Sequence, residues 1–345
     1  MRELIFSDLP TYRVPSSSTS TYTPRLGGET LGAAGAASGD WNRNDHVEMR
    51  LISAVSGVGE MKTIPVGLHF RMKPGWKLYW RTPGDAGFPP RANWSASENV
   101  SQVDIQWPAP KRFSIFELET LGYEDEVILP LNAAVTKPGE PVKFAANVDY
   151  LTCKDICIPY SATATLSVGG GEAAASEFAF EIDKYRARVP GDGARHGLRI
   201  QDLQVAFVGD AVELKIVASS IERFRAPDVY LEGPEGSFFG KPVVDLSEDG
   251  MTAVLEVGGG GFEEPVTASG VPITVTLVDG ERMLEERLIG KPSGLGQATA
   301  PTSDERSFLV IVLFALAGGL ILNLMPCVLP VLSLKLLSVV GHGGQ

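Results

Sequence analysis

Two cysteines four positions apart, Cys153 and Cys157, are the residues of this chain whose types and spacing best suit chemistry. Apolar and polar residues alternate through 142–150 before the pair and through 160–168 after it, a period typical of half-buried strands. On one continuous strand their Cα atoms would be about 13 Å apart, whereas a disulfide needs about 5.5 Å. We therefore predict a turn at residues 154–156, which sets the two cysteines opposite each other at the tip of an antiparallel hairpin.

A disulfide at such a tip favours exchange with other thiols over structural stapling. The loop that it closes is so short that chain entropy gives only about 2 kcal/mol, against about 4.7 kcal/mol for a loop of 100 residues. Short disulfides at a tip are the labile kind. Lys154 favours a thiolate nearby and Asp155 opposes it, so the residues leave open which cysteine attacks. Two alternatives also stay open, a static local clip and a two-thiolate copper(I) site.

The composition excludes other classes of function. The chain has 345 residues, a formal net charge of -12 and 44% hydrophobic residues, which indicates two or more domains with apolar cores. An acidic chain without clustered Lys and Arg is a poor binder of nucleic acid. Zinc normally takes four ligands, and no Cys-x-x-Cys or His-x-x-x-His pair accompanies the cysteines, so we expect no metal and no cofactor.

The third cysteine, Cys327, lies in an apolar stretch that we predict to cross a membrane. Residues 307–334 contain no charged side chain, and the run is long enough for a helix through a bilayer of about 30 Å. The charges that flank it weakly favour a position outside the cytoplasm for the large N-terminal region. Pro326 and Pro330 must kink or break the helix around Cys327, which implies a cavity. Ordinary packing of a small apolar cysteine is the alternative.

Shifts in composition predict a mainly β fold class with six segments. Short alternating runs between Pro and Gly turns indicate two immunoglobulin-like β-sandwich domains, followed by one transmembrane α-helix. The predicted segments are a flexible N-terminal arm (1–40), a redox-active sandwich (41–172), a helical linker (173–194), a second sandwich (195–292), a linker (293–306) and the transmembrane helix (307–341). Within the helical linker, an apolar face predicts a helix over 177–189.

The predicted arm, 1–40, contains no export signal, because it lacks both a basic start and an apolar core of roughly 7 to 15 residues. This conflicts with an N-terminal region outside the cytoplasm. We therefore expect that the natural start lies upstream or that the chain is incomplete.

Four motifs together resemble the DsbD-type thiol:disulfide interchange proteins, and among them the copper-tolerance branch called ScsB. These motifs are residues 75–90, 122–130, 150–159 and 325–330, and the resemblance covers roughly 41–170 and 306–341. It implies that Cys153 and Cys157 are the family's periplasmic pair and that Cys327 is its first membrane cysteine. In the family, an aromatic side chain on a cap loop covers the periplasmic pair. Phe116, or as second choice Phe113, corresponds to that cap.

The resemblance implies an enzyme, a protein-disulfide reductase of the bacterial inner membrane whose N-terminal region lies in the periplasm. A thioredoxin-like domain or protein would reduce Cys153 and Cys157, which would pass electrons to periplasmic disulfide proteins, in processes such as copper tolerance and cytochrome c maturation. The family's second membrane cysteine and its Cys-x-x-Cys do not occur in the sequence, so we expect this chain alone to be inactive in transfer across the membrane. The rival function is a membrane-anchored β-sandwich that binds copper or a partner protein, with a static cysteine pair.

Overall fold

The computed structural model describes residues 37–115, 118–208, 211–262 and 270–292. These residues form nineteen β-strands, one short α-helix and one turn of 3-10 helix, so the predicted mainly β class is confirmed. No helix within these ranges is long and apolar enough to cross a membrane. The predicted span 307–341, which includes Cys327, lies outside the described residues.

The first domain holds eleven strands in two sheets. They are β1 (Asn42–Arg43), β2 (Val47–Ser53), β3 (Thr63–Met72), β4 (Lys77–Gly84), β5 (Arg91–Asn93), β6 (Val100–Ile105), β7 (Lys111–Ile115), β8 (Leu118–Glu124), β9 (Glu126–Val135), β10 (Val142–Cys153) and β11 (Cys157–Val168). One sheet has the order β1-β2-β3-β9-β6, and the other has the order β11-β10-β4-β8-β7 with β5 beside β10. Strand β4 therefore lies between the cysteine hairpin and the β7–β8 pair.

Alternate side chains of both sheets contribute to one apolar core. In β10, every second residue from Val142 to Tyr150 is buried, as the period of two predicts. Among the largest fully buried side chains are Trp80, Phe70 and Phe144. Each contributes about 1.5–3 kcal/mol by leaving water, so the base of the hairpin is held firmly.

The cysteine hairpin is regular along its whole length. Strands β10 and β11 pair without interruption from Val142↔Val168 at the base to Cys153↔Cys157 at the tip. The predicted hairpin and its turn at 154–156 are confirmed. A slip of one residue would turn every buried side chain of the hairpin outward, so the core at the base fixes the pairing at the tip.

The helix between the two domains, α1 (Ala179–Arg186), is shorter than the predicted 177–189. The hydroxyl of Ser176 accepts a hydrogen bond from the Phe178 amide at 3.0 Å, which forms a turn where the sequence pattern predicts helix. After α1, the backbone tightens into bonds to the third preceding residue and then meets Pro190, which cannot continue the helix.

The second domain holds eight strands within its described residues. A 3-10 turn, Ala194–His196, precedes β12 (Leu198–Val208), β13 (Ala211–Ser220), β14 (Asp228–Glu232), β15 (Phe238–Phe239), β16 (Val243–Leu246), β17 (Thr252–Gly260), β18 (Val271–Asp279) and β19 (Arg282–Pro292). They follow the order β14-β18-β19-β12-β13-β17-β15, with β16 beside β17. A short parallel pairing of β19 with β12 joins two antiparallel halves. Side chains of both halves, among them Leu214, Leu255 and Leu277, share one core.

Candidate redox site

A disulfide joins Cys153 and Cys157 at the hairpin tip, with their Cα atoms 4.2 Å apart. The two cysteines differ in accessibility, since Cys153 is 0% exposed whereas Cys157 is exposed. An attacking thiolate must reach the sulfur with which it reacts. Cys157 is therefore the more accessible residue of the pair.

A tyrosine of the neighbouring strand contacts the buried sulfur. Tyr79 lies on β4, and its hydroxyl donates a hydrogen bond to Sγ of Cys153 at 2.9 Å. The same oxygen lies 3.8 Å from Sγ of Cys157. Burial raises the pKa of Tyr79 above its ordinary value, so the hydroxyl keeps its proton. A protonated hydroxyl at this position stabilises the negative charge that Cys153 gains when the disulfide opens.

The ring of Tyr79 is held in place by a loop that approaches it closely. A Cβ atom on Gly87 would lie 2.3 Å from Cε1 of this ring, and the backbone at Gly87 has φ +125°. Only a residue without a side chain permits this approach. The loop is fixed in turn to β8, because the amide of Asp85 donates to the Glu119 carbonyl at 2.9 Å and the amide of Glu119 donates to Oδ2 of Asp85 at 2.8 Å.

Lys77 connects the redox site with one of the predicted cap residues. It is the partner of Cys153 in the β10–β4 ladder, and its Nζ lies 4.9 Å from the centre of the Phe113 ring. This distance is within the range of a cation–π interaction. The structure thus brings the Phe113 ring to the end of the Lys77 side chain, whereas Phe116, the first choice from sequence, lies outside the described residues. The assignment of either residue as the cap stays a prediction.

The turn between the cysteines is open to solvent. Lys154, Asp155 and Ile156 are all exposed, and Ile156 is 63% exposed. The Lys154 side chain lies over Gly75, where a Cβ atom would come within 3.0 Å of its Cε.

Below the tip, a layer of rings supports the hairpin. Tyr150 and Tyr160 are cross-strand partners, and their ring centres are 5.8 Å apart. The Asn44 amide donates to the Tyr150 hydroxyl at 2.8 Å, and Nδ1 of His46 and the Tyr160 hydroxyl share a hydrogen bond of 2.6 Å. The His46 ring stacks at 3.8 Å on that of Trp76. These contacts connect the hairpin below its tip with the residues between β1 and β2.

Tyr79 and Lys77 belong to the site although the sequence patterns do not single them out. Both lie in the motif 75–90, and their spacing of two places them on one face of a strand. The strand that lies beside the cysteine hairpin depends on long-range pairing, which a short motif does not reveal. Cys327 lies outside the described residues.

Residues 53–168 match the family described as "Thiol:disulfide interchange protein DsbD, N-terminal". The chain carries a DsbD-type N-terminal domain. The resemblance carried by the motifs 75–90, 122–130 and 150–159 is thereby confirmed, and the disulfide lies inside the DsbD-type domain. Residues 188–291 match a family described as a domain of unknown function.

A solved structure extends the similarity beyond the DsbD-type domain. The crystal structure of the N-terminal periplasmic domain of ScsB from Proteus mirabilis is similar to this chain with a TM-score of 0.60 and 23% identity. The match covers 74% of this chain and 99% of that chain. The fold is therefore ScsB-like over most of the chain. No curated protein matches the sequence.

Proposed function

We propose that the chain is the periplasmic and first membrane part of a protein-disulfide reductase. The observation that carries this proposal is the asymmetry of the disulfide: Cys157 is exposed, and Cys153 is buried with its sulfur hydrogen-bonded to Tyr79. Thiol–disulfide exchange needs one sulfur that can be attacked and another that can leave as a thiolate. The site supplies both.

The disulfide accepts electrons in two steps. A thiolate of a thioredoxin-like donor attacks Sγ of Cys157, so the donor–Cys157 bond forms while the Cys157–Cys153 bond breaks, and Cys153 leaves as a thiolate beside Tyr79. The donor's second thiolate then attacks the donor sulfur of the mixed disulfide, which releases Cys157 as a thiolate. Two electrons reach the cysteine pair, the donor becomes oxidised, and the two protons that the donor thiols lose are balanced by two that the new thiolates take up.

Delivery to an oxidised partner runs through the same sulfur. The Cys157 thiolate attacks the partner's disulfide and forms a mixed disulfide, and one partner sulfur leaves as a thiolate. Cys153 then attacks Sγ of Cys157, which restores the Cys153–Cys157 bond and releases the partner as a dithiol. Cys157 is thus the exchanging cysteine and Cys153 the resolving one.

The DsbD-type domain supports a periplasmic setting for this exchange. We place the donor among thioredoxin-like domains or proteins and the acceptors among periplasmic disulfide proteins, with copper tolerance and cytochrome c maturation as candidate processes. Residues 307–341 would anchor the chain in the inner membrane, with Cys327 as the membrane cysteine that belongs to the relay.

The rival function is a membrane-anchored sandwich that binds copper or a partner protein through a static cysteine pair. In the described ranges, no group of three or more His, Cys, Asp or Glu side chains could hold a metal ion. The hydrogen bond from Tyr79 to Cys153 favours exchange, because a static clip needs no stabilised leaving group.

Trapping the mixed disulfide separates the two functions. The oxidised full chain is mixed with a thioredoxin-like donor whose resolving cysteine is replaced by serine, quenched with acid, alkylated and mapped by peptide mass spectrometry. We expect a donor disulfide at Cys157 and an alkylated Cys153. A donor with both cysteines replaced by serine is the control. If the Cys153–Cys157 bond stays intact with every such donor, the static clip is correct and the reductase is not.

A further inference from the structure

One strand of the second domain, β14, contacts two strands of the first domain, β4 and β7. From β4, Arg81 donates to Glu232 at 2.5 Å and also pairs with Glu285 of β19, and Thr82 donates to Glu232 at 2.9 Å. From β7, Arg112 reaches Asp228. Strand β14 thus touches the strand that carries Tyr79 and the strand that carries Phe113.

The contact at Arg112 is the more restrictive of the two. Its Nε donates to Oδ2 of Asp228 at 2.9 Å and its Nη2 donates to Oδ1 at 2.9 Å, while the same Nη2 donates to the Val229 carbonyl at 2.9 Å. The guanidinium lies 5.3 Å from the ring centre of Tyr230, whose hydroxyl donates to the Pro110 carbonyl at 3.3 Å. The Arg112 side chain is only 11% exposed. A two-pronged, charge-assisted contact of this kind fixes orientation as well as distance.

Arg112 and Phe113 are neighbours on β7, so their side chains leave opposite faces of the strand. On one face of β7, the two hydrogen bonds from Arg112 to Asp228 hold the strand to the second domain. On the other face, the Phe113 ring lies against Lys77, the ladder partner of Cys153. The hydroxyl of Thr120 also donates to the Phe113 carbonyl at 3.3 Å. The position of the Phe113 ring therefore depends on the pairing of β7 with β8 and on the contact of Arg112 with the second domain.

We propose that the second domain supports the cap of the redox site, with Arg112 as a positioning residue that holds Phe113 beside Lys77, the ladder partner of Cys153. This gives a role to a domain whose family is described as of unknown function. Held in this way, the Phe113 ring limits the access of thiols that are not partners, while a partner protein displaces it. The inference rests on the proposed thiol exchange at Cys153 and Cys157.

The test measures how fast dithiothreitol reduces the disulfide in the full chain, by alkylation of the free thiols and intact mass. Asp228→Asn removes the charge that holds Arg112 but leaves the redox domain unchanged. We expect the rate of reduction to rise about tenfold or more, and a tenfold change corresponds to a free-energy difference of about 1.4 kcal/mol. Asp228→Glu, which keeps a carboxylate, should restore much of the protection. Glu98→Gln is the matched control, because it breaks an exposed ion pair with Lys143 that lies outside the cap contacts.

A double-mutant cycle with Phe113→Ala shows whether the effect passes through the ring. If Arg112 acts by placing Phe113, Asp228→Asn should add less than about twofold once Phe113 is alanine. The proposal would be overturned if Asp228→Asn and Phe113→Ala changed the rate independently, so that their effects multiplied. It would also be overturned if the Asp228→Asn chain were reduced at the rate of the Glu98→Gln control. Should Asp228→Asn unfold, Arg112→Lys, which keeps the charge but loses the fork, serves in the same cycle. Reduction by dithiothreitol needs no donor protein, so failure of every donor would reject the reductase without deciding this test.

Discussion

Replacing Tyr79 with phenylalanine removes one hydroxyl from the redox site and leaves the ring on Gly87 in place. The hydroxyl donates to Sγ of Cys153 at 2.9 Å, and this bond strengthens when the sulfur becomes a thiolate. A hydrogen bond to a charged group contributes about 1.5–3 kcal/mol. Taking the lower value, we expect the Cys153 pKa to rise by about one unit and the reduction potential to fall by about 30 mV. Reduction by a donor should slow by up to about tenfold, because the leaving sulfur carries part of this charge in the transition state.

The assay combines two measurements on the full chain. Equilibration with glutathione buffers gives the potential, and the pH dependence of alkylation gives the cysteine pKa values. Tyr123→Phe is the control, because it deletes a buried hydroxyl of the same sheet that donates to the Pro108 carbonyl. A Tyr79→Phe chain with an unchanged potential and unchanged cysteine pKa values would refute the role of Tyr79 as the stabiliser of the leaving group.

Three further predictions concern stability. Replacing Cys153 and Cys157 together by alanine should abolish electron transfer. It should lower the free energy of unfolding in urea by at most about 2 kcal/mol, because the loop that the disulfide closes is so short. A larger loss of stability would mean that the disulfide is a structural staple. Gly87→Ala should lower the free energy of unfolding by about 1–3 kcal/mol and slow exchange, because its Cβ would clash with the Tyr79 ring and the backbone there has a positive φ. Gly191→Ala is the control and should do neither, since a Cβ at Gly191 has no atom within 4 Å. Burial lowers the pKa of His69, although its hydrogen bond to Glu126 acts in the opposite direction, so the unfolded chain binds this proton more readily than the folded chain. The free energy of unfolding should therefore fall as the pH drops below about 6.5, by up to about 1.4 kcal/mol per pH unit. Equal slopes for the wild type and His69→Gln would contradict this.

The cysteine hairpin could be predicted from the sequence because its information is local. Alternation on both sides of the pair fixes two strands, and the geometry of a disulfide requires a turn between Cys153 and Cys157. The motifs added the family, and the match over 53–168 confirms it. Each of these inferences uses residues that are close together in the chain.

The remaining features of the site depend on contacts between distant parts of the chain. Tyr79 reaches Cys153 from 74 positions away, and Arg112 reaches Asp228 from 116 positions away. Sequence patterns reveal which face of a strand is buried but not which strand lies beside it. The linker helix is shorter than 177–189 for a different reason, because the Ser176 hydroxyl bonds to the backbone at its start.

The most direct test of thiol exchange is a redox titration of the Cys153–Cys157 bond in the full chain, read by alkylation and mass spectrometry. Structural disulfides of secreted proteins have potentials below about -300 mV, whereas exchanging ones lie higher. We predict a midpoint above about -300 mV, with both cysteines titrating as one two-electron couple. A midpoint below that value would contradict the assignment of this disulfide as a carrier of electrons between proteins.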